Sequence, residues 1–207
     1  MTWKEYFQKT RNRVEAFLTV VSLIIVLSVL AHFLNFIESR NGVVLPDPLL
    51  SLFSPVDLTW LIFGIIYFSV FYTVYLLISK PCVLMFAIQA YILVVIIRMM
   101  VMYVVPFNPP AGMISLDDPF VQFFGTGKLL TKDLFFSGHT AIVFLFYLVA
   151  EGKNNKRIFL IFTITVAVSV LLQHVHYTVD VAAAPFFTYG FYVITKKLRK
   201  KIGLGFA

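Results

Sequence analysis

Charge is scarce in this chain. Only 13% of its 207 residues are Asp, Glu, Lys or Arg, against about 25% in an average soluble domain, so polar groups could not cover a water-facing surface. Cysteine is scarcer still. Cys82 stands alone, which excludes an internal disulfide and a paired-thiol redox centre. No CxxC or HExxH spacing occurs, so neither a metal nor an organic cofactor is expected. What fills the chain instead is apolar: 60% of the residues. The stretches 16–37 and 58–78 carry no formal charge, and each approaches the ~20 residues that cross a hydrocarbon core as a helix. The first is too long for the apolar part of a cleaved leader and is followed by further spans.

The net charge of +7 is placed for a membrane rather than for nucleic acid. Lys4, Lys9, Arg11 and Arg13 precede the first apolar run; Lys153, Lys156 and Arg157 share one short loop; Lys196, Lys197, Arg199, Lys200 and Lys201 form a tail. Aromatic residues do not interleave with these cations as they do in single-strand binders. Segments rich in Lys and Arg stay cytoplasmic and favour an anionic inner leaflet.

Apolar periodicity predicts an all-α fold: one six-span transmembrane bundle over 1–207, with spans of about 15–37, 58–78, 82–105, 134–150, 157–174 and 178–195. An even count puts both basic termini in the cytoplasm. The connections after spans one, three and five then face outward, and their only basic residues are Arg40, Lys128 and Lys132. The second outer loop, 106–133, is broken by Pro106, Pro109, Pro110 and Pro119. Its length marks it as functional, and its phenylalanines suit packing on the membrane surface. Asp117 and Asp118 are expected to be solvated there.

Two polar clusters stand at the outward ends of apolar spans. One is Asp133-Leu-Phe-Phe-Ser137-Gly-His139-Thr140; the other is His174-Val-His176-Tyr177-Thr178-Val-Asp180. The four-residue spacing of His176 and Asp180 would set them on one helical face, where the carboxylate fixes the imidazole tautomer and leaves the other nitrogen to attack. His139 could then protonate a leaving oxygen. The fourth to sixth apolar runs are short for a full crossing, so the polar motifs are expected to complete their helices. Arg98 either snorkels to the outer interface or serves a site inside the membrane. Asp133 is a helix cap or a partner of the catalytic groups. His174 is a supporting group or has no role, and Tyr103 and Tyr177 are interfacial aromatics or contacts to a head group. His32 is expected to be a satisfied core residue.

These residues resemble a known family. Ser137-Gly138-His139-Thr140 together with His176-Tyr177-Thr178-Val179-Asp180 is similar to the paired motifs of the sphingomyelin synthases and their relatives, within the type 2 phosphatidic acid phosphatase superfamily. The likeness extends to Asp133, to His174, to Arg98 with Met102-Tyr103-Val104, and to Leu45-Pro46-Asp47, so it covers about 45–185. Thr131-Lys132 stands where the synthases have Cys-Gly, and Pro185-Phe186 replaces an aromatic pair. The resemblance implies that His176 attacks phosphorus to form a phosphohistidine, oriented by Asp180, while His139 protonates the departing lipid oxygen and later activates the acceptor hydroxyl. It implies substrate-binding roles for Arg98, Tyr103, Asp133, Ser137, His174 and Tyr177.

Superfamily phosphatases hold a dianionic monoester with a Lys-x6-Arg-Pro element and an Arg beside the nucleophile. This chain has no Arg-Pro dipeptide, and Gln173-His174 stands where a Ser-Arg pair would. Few outward cations favour a diester, with Arg98 as the phosphate partner. The expected activity is transfer of a phosphocholine or phosphoethanolamine head group from a membrane phospholipid to a lipid alcohol such as ceramide. Water as acceptor would make it a phospholipase C. A lipid phosphate or polyprenyl pyrophosphate phosphatase is the other enzyme reading, and a lipid-binding sensor or transporter the non-enzyme one. Self-association is left open, and the site would face a periplasm, the cell exterior or an organelle lumen.

Overall fold

In hydrocarbon a backbone must satisfy its own hydrogen bonds, so long apolar runs resolve as helices. The computed structural model describes residues 1–116 and 130–204; Asp117, Asp118 and the rest of 117–129 lie outside them. Seven α-helices follow in order among the described residues: α1 Trp3–Gln8, α2 Thr10–Glu38, α3 Thr59–Leu77, α4 Pro81–Val104, α5 Gly138–Val149, α6 Lys153–Leu172 and α7 Thr178–Lys201. Four of them (α2, α3, α4 and α6) are long and apolar enough to cross a membrane, which marks a membrane protein. Pro81 occupies the first turn of α4, where its missing N–H costs nothing. The unforeseen α1 starts at a capping box of Thr2 and Glu5, a signal that Thr-x-x-Glu carries.

The sixth expected span starts at Thr178 as predicted, but the fourth, expected over 134–150, is shorter. α5 has 12 residues, about 18 Å at 1.5 Å per residue, against the ~30 Å of a hydrocarbon core. The motif before it does not extend the helix: 130–137 is non-helical. That backbone is tolerated because protein encloses it. Leu134, Phe136 and Ser137 are buried, the Phe136 carbonyl accepts from Arg98 Nε at 2.7 Å, and the Ser137 N–H donates to the Asp180 carbonyl at 3.1 Å. His176 likewise precedes α7 rather than lying within it.

α5 is the axis of the bundle. Its Val143 joins Ile62 and Ile66 of α3, Val166 and Val170 of α6 and Val181 of α7 in one apolar cluster. Its Leu145 and Val149 join Leu77, Val83 and Phe86 in another. Lipid tails are as apolar as these side chains, so close packing and polar contacts hold the helices together more than burial does. α2 is the opposite case. It packs along α4, and of its 29 residues only Asn12, Glu15, Thr19 and Ile37 are buried. His32 is exposed on it with Nδ1 2.8 Å from the Ser28 carbonyl, so it is satisfied but is not a core residue.

Polar ties define the two ends. At one, Glu38 accepts from Thr131 and Lys132, and Gln173 joins the end of α6 to the start of α3. At the other, Lys80 pairs with Glu151, Glu15 pairs with Arg199, and the Trp3 indole N–H donates to the Ile78 carbonyl.

Candidate active site

Both polar motifs arrive at the end of the bundle where α5 and α7 begin. Ser137 caps α5, its Oγ accepting from the Thr140 N–H at 3.4 Å and lying 3.1 Å from Thr140 Oγ1. A serine that supplies an oxygen to the first turn orients the helix start, and here the next residues of that turn are Gly138 and His139. The second motif is fixed similarly. Asp180 Oδ2 accepts from the Tyr177 N–H at 3.0 Å, closing the first turn of α7.

His139 Nδ1 lies 3.4 Å from His176 Nε2. On the far side of that ring, His176 Nδ1 lies 3.4 Å from Asp180 Oδ2. The i, i+4 pair therefore meets, but across the turn that enters α7 rather than on a helical face. His176 and Asp180 are wholly buried; His139 is half-buried. Among the described residues His176 Nδ1 and Asp180 Oδ1 have no hydrogen-bond partner: the two side chains are at ion-pair distance without a directed bond. Buried unpaired polar atoms are costly and call for an explanation, and catalytic hydrogen bonds are often slack in a free enzyme.

Arg98 points inward and does not snorkel. Its Nε holds the Phe136 carbonyl, Nη2 pairs with Asp133, and the residue is 6% exposed. Asp133 is thus the partner of Arg98, and the capping alternative fails because Ser137 is the cap. Gly138 makes the approach possible: a Cβ there would stand 2.7 Å from Arg98 Cζ. The guanidinium so lies against the first turn of α5, whose dipole is also positive. Arg98, Asp133, Gly138 and His139 form one end of a cavity of about 190 Å³, walled by Leu30, Phe63 and other apolar residues of α2 to α5.

Three other predicted residues stand apart from this group. The Tyr177 side chain is buried, with Oη donating to the Asn108 carbonyl at 2.9 Å and accepting from the Leu45 N–H at 3.2 Å. His174, at φ 56°, has Nδ1 3.0 Å from the Ala111 carbonyl and an edge contact with Phe53. Both hold the connections that follow α2 and α4. Tyr103 is exposed, stacks with Phe36 and lies under the Arg40 guanidinium.

Two residues outside the expected set support the site. Asp47 Oδ2 accepts from the Thr178 N–H at 2.7 Å, and Oδ1 accepts from its hydroxyl at 3.0 Å. Burial alone would raise the Asp47 carboxyl, but these bonds and those from Leu49 and Leu50 outweigh it and hold it below its ordinary value. Gln173, fully buried, accepts from the Leu58 N–H and donates to Thr59 Oγ1 and the Ile114 carbonyl. Among the described residues no three His, Cys, Asp or Glu side chains gather as a metal site.

Residues 132–197 match the family model described as PAP2 superfamily C-terminal, a stretch that holds His139, His176 and Asp180 but not Arg98. No curated protein matches the chain. Over those residues the match supports the type 2 phosphatidic acid phosphatase superfamily and, with it, a membrane enzyme of the lipid phosphatase or phosphotransferase kind.

Proposed function

We propose that this protein is a membrane lipid phosphotransferase. It moves a phosphocholine or phosphoethanolamine head group from a glycerophospholipid to a lipid alcohol through a phosphohistidine on His176. The observation that carries this reading is the row of His139, His176 and Asp180, with successive contacts of 3.4 Å. Asp180 favours the tautomer with its proton on Nδ1, leaving the Nε2 lone pair toward His139. The phosphoryl group enters between the two rings as the less buried His139 swings aside. Nε2 bonds to phosphorus, the P–O bond to diacylglycerol breaks, and His139 gives its proton to the departing oxygen. In the second half His139 takes the proton of the acceptor hydroxyl, the new O–P bond forms and the N–P bond breaks. Positive charge on His176 during the first half would tighten its bond to Asp180 and engage the idle buried atoms.

Arg98 and the start of α5 would bind the phosphoryl oxygens. Asp133 offsets much of the Arg98 charge, which suits a singly charged diester better than a dianionic monoester. The resemblance to sphingomyelin synthases points to ceramide as the acceptor. In this reading α5 and α7 complete six crossings, the basic termini are cytoplasmic, and the site opens outward near head-group depth.

The test is to incubate detergent-purified protein with phosphatidylcholine or phosphatidylethanolamine, with and without ceramide, and to resolve products by mass beside His176→Ala. Ceramide-dependent head-group transfer, lost in the variant, is expected. Diacylglycerol formed without an acceptor would mean a phospholipase C. Turnover of phosphatidic acid or a polyprenyl pyrophosphate with neither diester would mean a phosphatase. Tight lipid binding with a cellular role untouched by His176→Ala would favour a sensor or transporter.

A further inference from the structure

A second buried polar cluster lies at the opposite end of the bundle from the histidines. Glu15 of α2, Gln89 of α4 and Arg199 of α7 form a closed network. Arg199 pairs with Glu15 and donates to Gln89 Oε1 at 2.6 Å, while Gln89 Nε2 donates to Glu15 Oε1 at 3.1 Å and to Thr19 Oγ1 at 2.8 Å. Tyr6 Oη completes it by donating to the second Glu15 oxygen at 2.8 Å. Buried charges of this kind sit in a membrane protein where helices enclose something. Beside the network is a cavity of about 520 Å³, inside the range of ligand sites, which are mostly apolar with a few placed polar groups.

Its dimensions are those of one lipid leaflet. The α2 wall runs from Arg11 to Ser22, about 16 Å at 1.5 Å per residue, or about half of a ~30 Å hydrocarbon core. Val14, Leu18, Ile92 and Leu198 make the walls apolar, and Arg11 stands where the cavity meets the bundle end. The charge balance is one-sided: among the described residues Glu15 offsets Arg199, whereas Arg11 donates to the Ile202 and Gly203 carbonyls and has no acidic partner. Lys4 of α1, Lys9 between α1 and α2, and Arg13 of α2 lie nearby in sequence, and Lys196, Lys197, Lys200 and Lys201 on the end of α7.

We propose that this cavity is a lipid site separate from the histidine centre, holding one acyl chain of an anionic glycerophospholipid with its phosphate at Arg11. Basic pockets between membrane helices are suited to anionic head groups. A zwitterionic lipid of the same chains offers the same apolar match but no net charge for Arg11 and its basic surroundings. The proposal does not depend on the chemistry at His176.

The test uses the full chain in detergent and native mass spectrometry. Phosphatidylglycerol and phosphatidylcholine of identical chains are titrated, with inorganic phosphate as a competitor. One phosphatidylglycerol should be retained in preference. Its affinity should fall about tenfold or more both in Ser22→Trp, which fills the deep end, and in Arg11→Gln, which removes the charge but keeps donors for the Ile202 and Gly203 carbonyls beyond the end of α7. Leu27→Trp, on the exposed face of α2 beyond the cavity, should change nothing; Arg11→Gln serves alone should Ser22→Trp fail to fold. Equal retention of the two lipids would overturn the proposal. So would displacement by inorganic phosphate alone, retention unchanged in Arg11→Gln, or a shift in oligomeric mass with Ser22→Trp and no loss of lipid, which would make the cavity a contact between copies.

Discussion

Gly138→Ala sets two opposing effects against each other. Alanine is the better helix former by up to about 1 kcal/mol, so a glycine in the first turn of α5 invites replacement. The added Cβ would stand 2.7 Å from Arg98 Cζ and Nη1. The guanidinium is the end of a flexible side chain, but it is not free to retreat: Nε is bound to the Phe136 carbonyl, Nη2 pairs with Asp133, and the residue is buried. Overpacking a closed site costs about 1–3 kcal/mol, so the clash should win, with a net loss of about 1–2 kcal/mol. The assay is reversible unfolding in detergent of wild type, Gly138→Ala, Arg98→Lys and the double variant. Lysine keeps the charge without the planar fork, so the glycine substitution should cost less in that background, with a coupling of about 0.5 kcal/mol or more. Head-group turnover in Gly138→Ala should fall by up to ~10²-fold through displacement of Arg98. An equal cost in both backgrounds, or a stabilised single variant, would refute the close approach.

Other outcomes follow from the supports of the site. Asp47→Asn removes the charged acceptor at the start of α7 and should destabilise the protein at neutral pH by about 1 kcal/mol. The folded carboxyl is held below its ordinary value, so its contribution is present above the unfolded pKa and is lost as pH falls through the folded one. The gap between wild type and Asp47→Asn should therefore close on acidification below the ordinary aspartate range, as followed by unfolding against pH. Tyr103→Ala should change head-group turnover by less than about threefold, the kinetic equivalent of ~0.6 kcal/mol, because the ring packs on Phe36 and Arg40 away from the cavity; a larger fall in the lipid-product assay would place it in the site after all.

Local features of the chain were legible before any fold. The uncharged run 58–78 became α3, Thr59–Leu77, and the run 82–105 became α4, Pro81–Val104, because helix formation in an apolar solvent depends on neighbours in sequence. The His139 and His176-to-Asp180 motifs stood out for the same reason: polar groups at the ends of apolar runs need no tertiary knowledge to be noticed. The start of the fourth span at 134 was wrong because enclosure by other helices satisfies the 130–137 backbone without a helix, and enclosure leaves no mark on the segment itself.

What only the tertiary structure decided are contacts between residues far apart in the chain. Arg98 could turn outward or inward until Phe136 and Asp133 were brought to it. Asp47 binds the start of α7 from 131 residues away, and Tyr177, a candidate head-group contact by sequence, spends its hydroxyl on the loops at Leu45 and Asn108. Sequence periodicity reports which face of a helix is apolar. The side chains that share the enclosed space at its end are set by how the helices pack, since hydrogen bonding and close contact act over a few ångströms regardless of separation along the chain.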